Sequence, residues 1–203
     1  MSRVLPILFN TEMVQAILDG RKTVTRRVVK PQPIQVGFFW KIGWAAWSNN
    51  ISSLHLMPGH SLYNRMPCHT GDILYVRETW AEWTGGYIYR AWPYPFPQPG
   101  CYPTTVWRPS IHMPKEAARI WLKVTDVRVE RLQDINEMGG KREGFVNDIC
   151  LEDGTGKSAV KHFADLWEST IKKEDIDKYG WEVNPWVWVI EFEMCEKPEG
   201  SSK

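Results

Sequence analysis

Three features of this chain predict an α+β domain. Apolar, strand-like runs recur at 5–9, 73–78, 119–131 and 186–192. Two other segments carry apolar residues at helical spacing: Met13, Val14, Ile17 and Leu18, then Val160, Phe163, Leu166 and Trp167. A length of 203 residues with 43% hydrophobic content suffices for one well-buried core, which favours one domain with insertions over two.

The elements follow in chain order. After the first strand, Asn10 and Thr11 offer N-cap side chains to the first helix, and Gly20 ends it. Residues 23–29 are β-branched and alternating, which predicts a strand that stops at Lys30-Pro31-Gln32-Pro33, because proline cannot donate to a ladder. From 34 to 66 the pattern breaks into Trp40, Trp44 and Trp47 among Gly, Ser and Asn, a loop-rich insertion by expectation. Thr70-Gly71-Asp72 signals a turn before the buried strand 73–78, and 87–91 makes a hairpin partner after Gly85-Gly86. The proline-rich 92–114 is expected to be a second insertion, with an extended aromatic loop over 92–107. Beyond the long strand 119–131, a short helix over 134–142, which contains Gly139-Gly140, is expected to break before Glu143-Gly144, a longer one covers 158–172, and strand 186–192 closes a single domain spanning 1–195. The polar tail 196–203 is expected to be mobile.

Composition narrows the function classes. A net charge of +1 excludes a protein that coats nucleic acid by bulk charge, so any such role needs a local patch. Five cationic side chains between Arg21 and Lys30 are such a patch and suit a phosphate or RNA-backbone partner. Twelve Trp supply core volume or stacking platforms for bases. Four scattered cysteines without a CxxC pair indicate neither a disulfide framework nor a zinc knuckle, and the histidines show no metal-ligand spacing, so no metal and no cofactor is expected. The absence of a long apolar run and of a signal-peptide core predicts a cytoplasmic protein with no membrane partner; no obligate protein partner is evident.

Several segments together carry a resemblance: the run from Ile17 through Gly20, Arg21, Lys22, Thr23, Val24 and Thr25 to Arg27, then Thr70-Gly71-Asp72-Ile73-Leu74-Tyr75-Val76, Glu143-Gly144, and Trp188-Val189-Ile190-Glu191-Phe192. In this order they resemble the ASCH (ASC-1 homology) family, which implies a PUA-like mixed β-barrel flanked by short helices, here with two long loop-rich insertions. The Trp107 to Pro114 and Asn184 to Trp188 stretches look like the larger ASCH proteins of bacteriophages and prophages. Compact bacterial members of the family are amidohydrolases that remove acetate from N4-acetylcytidine, and other relatives are regarded as RNA binders or ribonucleases.

That resemblance implies a catalytic set of Lys22, Thr25 and Glu143, with Thr25 as nucleophile, Lys22 as base, and Glu143 holding the cytosine amino edge and assisting its departure. A lysine of ordinary pKa is a poor base at neutral pH, so Lys22 needs burial or the cationic neighbours Arg21, Arg26 and Arg27. Strand alternation requires Lys22 to sit in the turn after Gly20 while Thr25 and Arg27 share one face. The plainer alternative is that Arg21 and Lys22 complement the helix end and that Arg26 and Arg27 are solvated or ion-paired. Glu78 is a rival pocket carboxylate, paired by expectation with Arg77 or Arg27 if it stays out of the pocket. Trp80, with Trp83, Tyr87 and Tyr89, is a candidate base-stacking wall, and Arg108, Ser110 and His112 are candidate contacts to a phosphate or carbonyl. The partner is then a nucleoside or RNA, and the alternatives to a hydrolase are a noncatalytic RNA or modified-base reader and a ribonuclease.

Overall fold

The computed structural model describes residues 2–43, 45–83, 86–91, 106–147 and 156–199, Trp83 through its backbone only. In chain order the elements are β1 (Val4–Leu8), α1 (Thr11–Leu18), β2 (Val24–Val28), β3 (Ile34–Val36), β4 (Phe39–Ile42), β5 (Ala45–Ser48), β6 (Ser53–His55), β7 (Ile73–Arg77), β8 (Trp80–Trp83), β9 (Gly86–Tyr89), β10 (Trp121–Arg131), α2 (Glu137–Arg142), α3 (Ala159–Thr170), α4 (Ile176–Tyr179) and β11 (Trp186–Cys195). The class is therefore α+β, with strands in mixed sheets and few, short helices. No helix among the described residues is long and apolar enough to cross a membrane.

The main sheet runs β1-β7-β10-β11-β2, with β6 added alongside β10. β1 and β7 are parallel, and the other pairings are antiparallel. The expected barrel does not close, since among the described residues no pairing joins β1 to β2. The backbone of β1 supplies a reason: the Phe9 amide and the Arg3 carbonyl bond with β7, so the alternate groups face the open edge, where Pro6 has no N–H to give. The sheet nevertheless curls until the two edges meet through a side chain, Arg27 Nη2 donating to the Leu8 carbonyl at 3.1 Å.

Alternation along the strands decides what each face buries. Trp186, Trp188, Ile190 and Phe192 of β11 enter the main core with Val14 and Ile17 of α1 and Leu122 and Val124 of β10. Val187 and Val189 point the other way and pack with Leu132, Phe163 and Trp167 under α3. A third cluster, Trp80, Tyr89, Met113, Ala117 and Trp121, lies beneath the β8–β9 hairpin.

A further expectation is corrected. The insertion 34–66 is not loop-rich: β3, β4 and β5 form an antiparallel meander whose turns use Gly37 and Gly43 at φ +60° and +56°. Ile42, Ala45, Trp47, Leu56 and Leu62 from this segment join the main core, and Trp40 and Trp47 each meet Trp186 edge-on at 5.4 Å. The short helix α2 contains Gly139-Gly140 and stops before Glu143-Gly144, in line with the sequence. A Cβ at Gly140 would lie 2.8 Å from the Ala159 backbone, so close α2–α3 packing selects glycine there and outweighs its poor helix propensity. Most of the second expected insertion, at 92–105, lies outside the described residues, as do Trp44, Cys101, Cys150 and the tail 200–203.

Candidate functional site

The site is organised by the end of α1. Asn10 Oδ1 accepts from the Met13 amide at 2.8 Å and starts the helix; Gly20 at φ +73° ends it. The amides of Arg21 and Lys22 both donate to the Ala16 carbonyl at 2.9 Å, a tight reversal that sends the Lys22 side chain inward before β2 begins. Lys22 then pairs in an isolated bridge with Glu143, the C-cap of α2, 121 residues away in sequence. Gly144 makes this contact feasible. It adopts φ +105°, and a Cβ there would stand 2.7 Å from the Ala16 Cβ and 3.3 Å from that of Lys22.

Lys22 and Glu143 are both buried, with side chains 0% and 1% exposed. The Lys22 ammonium directs its three donors to the Val24 carbonyl at 2.9 Å, the Glu143 carbonyl at 2.9 Å and Glu143 Oε2 at 2.6 Å. Glu143 Oε1 accepts from Arg26 Nη1 at 3.0 Å, and the other Arg26 terminus lies 3.7 Å from Glu130. Burial pushes the Lys22 ammonium below its ordinary value of 10.5, against the attraction of Glu143; the Arg27 and Arg26 charges push the same way as burial.

Thr25 is buried on β2, and its hydroxyl accepts from Arg27 Nη1 at 2.9 Å. Their register partners on β11 are Ile190 and Trp188, both on the main-core face, so Thr25 and Arg27 do share a face. Thr25, Arg26, Arg27, Lys30 and Glu143 line a cavity of about 500 Å³ walled by Leu8, Met13, Phe163, Leu166, Trp167 and Ile171. Polar groups at the foot of a largely apolar slot suit a flat, partly polar ligand. The cationic run is thus divided: Lys22 and Arg26 are held in internal ion pairs, Arg27 and Lys30 face the cavity, and Arg21 lies outside, bonded to Asp19 at 2.8 Å and to the Gly144 carbonyl.

The remaining predicted residues lie elsewhere. Glu78 is bound in a fork by Arg119 at 2.9 and 3.0 Å, rather than by Arg77 or Arg27, and does not line this cavity. Trp80 and Tyr89 are core residues of the third cluster, Tyr89 donating to the Ala117 carbonyl at 2.6 Å. Arg108 lies over Trp80 at 5.1 Å and pairs with Glu82 at 3.0 Å, while Ser110 and His112 sit in a short 3-10 turn nearby, with His112 exposed. The Trp83 side chain lies outside the described residues. Burial pushes the Cys68 thiol up to about 12, which suits a structural rather than reactive cysteine. Sequence reasoning missed Lys30 and the α3 face as cavity walls. The spacing of Phe163, Leu166 and Trp167 signals an apolar face, but nothing local says that it borders a cavity. Comparison with protein-family models, with curated proteins and with solved structures finds no match.

Proposed function

We propose that this chain is a nucleoside- or RNA-binding protein of the ASCH type, its curled sheet a PUA-like architecture left open at one seam, and that its cavity removes an acyl group from an N4-acetylcytidine-like substrate. The observation that carries this reading is the buried Glu143 carboxylate, gripped by Lys22 and Arg26 at a cavity that Thr25 also lines.

A proton circuit follows from these contacts. Glu143 Oε2, 2.6 Å from Lys22 Nζ, takes a proton from the ammonium and leaves a neutral amine. That amine, once turned toward Thr25, accepts the hydroxyl proton as Oγ1 attacks the acyl carbon, and the Arg27 guanidinium beside Oγ1 stabilises the negative charge that develops on the acyl oxygen. Protonated Glu143 then protonates the departing cytosine amine, and water hydrolyses the Thr25 ester to release acetate. Depression of the Lys22 pKa by burial favours the first step.

One observation favours a second reading. Lys22 directs all three of its donors away from Thr25, as suits a pocket that binds a modified base without cleaving it. Incubation with N4-acetylcytidine, with cytidine followed by chromatography and binding by calorimetry, separates the two. The hydrolase releases cytidine, and Lys22→Ala and Thr25→Ala lower the rate by roughly 10²- to 10⁴-fold. Binding without cytidine release supports the reader; neither binding nor release removes the pocket assignment, and full activity in both variants removes the catalytic roles.

A further inference from the structure

At the opposite end of β2 from Lys22, a second cavity contains an arginine without an acceptor among the described residues. Arg131 ends β10 opposite Trp186 in the ladder, and its guanidinium lies 5.0 Å from the Trp40 ring centre and 5.4 Å from that of Trp186. It is half-buried, yet among the described residues its side chain makes no hydrogen bond and no ion pair. Arg128 on the same strand shows the contrast, bonding Glu130, Asp126 and Glu191 at 2.5, 2.9 and 2.6 Å. Burial pulls the Arg131 pKa down, against the attraction of Asp134.

Arg131 opens on a cavity of about 340 Å³ bordered by Trp40, Trp186, Gln35, Asn49 and Asp134. Two residues of its border, Trp186 and Asn49, also carry a buried polar atom, Nε1 and Oδ1, that lacks a partner among the described residues. Each such atom costs about 1–3 kcal/mol unless a ligand or water satisfies it. Asp134 shares the cavity without forming an ion pair. The cavity therefore sets a guanidinium without an acceptor among the described residues near a carboxylate that is not ion-paired, beside the indole of Trp40.

We propose that this cavity is a guanine-binding site, separate from the Thr25 pocket. A simple oxyanion would satisfy Arg131 but meet Asp134 unfavourably, whereas a planar base can answer both. Guanine alone among the common bases carries two acceptors on one edge, O6 and N7, for a guanidinium fork, and two adjacent donors, N1–H and the 2-amino group, for a carboxylate. Its face stacks on an indole or a guanidinium plane. Trp186 lies four residues along β11 from Ile190, the register partner of Thr25, a separation of roughly 13 Å at about 3.3 Å per residue. The site does not depend on the reading of the Thr25 pocket, and the two fail separately.

Calorimetric titration of the full chain with guanosine, inosine and uridine tests it. Guanosine binds, inosine, which lacks the 2-amino group, binds at least tenfold more weakly, and uridine gives no heat. Arg131→Gln weakens guanosine at least tenfold. Asp134→Asn, at an exposed position, brings guanosine down to the inosine level. The proposal is overturned if wild-type protein binds no guanosine at millimolar concentration, if inosine matches guanosine, if Asp134→Asn leaves the guanosine preference intact, or if excess N4-acetylcytidine displaces guanosine and so places it in the Thr25 pocket.

Discussion

Glu143 and Glu78 are both buried carboxylates, 2% and 1% exposed, and both are gripped by arginine. They differ in what lies beyond the grip. Glu78 is tied to the single guanidinium of Arg119, which keeps 21% of its side chain in solvent, and its own amide meets the Met113 sulfur. Glu143 holds two cations, one of them a wholly buried ammonium, and borders a cavity beside a hydroxyl. Burial of a charge therefore does not by itself mark a site. A buried charge beside a cavity and a second reactive group is more telling, because desolvation there strengthens interactions with a ligand as well as within the protein.

The sharpest way to break the comparison is to delete each carboxylate. Glu143→Ala leaves Lys22 and Arg26 buried with their shared partner gone, and a loss of about 3–5 kcal/mol is expected. Glu78→Ala leaves an arginine that can turn to water, and about 1–3 kcal/mol is expected. Urea denaturation of the two variants checks the order, and equal losses would show that the two pairs are energetically alike.

Gly144 distinguishes the regions further, since its positive φ and its contact with α1 sit directly beside Glu143. The Gly144→Ala variant must hold φ near +105° with a Cβ 2.7 Å from that of Ala16, so a loss of about 2–3 kcal/mol is expected. Cytidine release should fall as well, because α1 and the Glu143 cap can no longer approach. A wild-type melting temperature in Gly144→Ala would mean that this glycine is not needed to place Glu143.

These regions also differ in how much the sequence discloses. The helix α1, its Asn10 cap, the Gly20 stop and the placement of Lys22 ahead of the strand follow from local spacing and cap chemistry, and the structure keeps them. The pairing of Lys22 with Glu143 spans 121 residues, and that of Glu78 with Arg119 spans 41; no local pattern encodes either. The β3–β5 meander is obscured for a different reason. Its strands are only three or four residues long, too short for alternation to stand out, although the turn glycines Gly37 and Gly43 are visible in the sequence. The stop of α2 before Glu143-Gly144 is legible in the sequence, whereas the reason for glycine at 140 is not, since it lies in the close approach of α3.

A third charged region extends the comparison to ion pairs that keep contact with water. Glu191 accepts from Arg142 at 3.0 and 2.6 Å and from Arg128 at 2.6 Å, with 20% of its side chain exposed. The Arg142 hydrogen bonds, ahead of those from Arg128, hold its carboxyl below the ordinary 4.5. A carboxylate depressed in the folded state adds stability that is present above the unfolded value and is lost as pH falls through the folded one. Glu191→Gln should therefore lower the urea midpoint slightly at pH 7, with the gap to wild type closing as the solution is acidified below 4.5. Solvent screening makes this the smallest of the four effects. A gap that stays constant through the acid range would mean that Glu191 acts through packing and not through its charge.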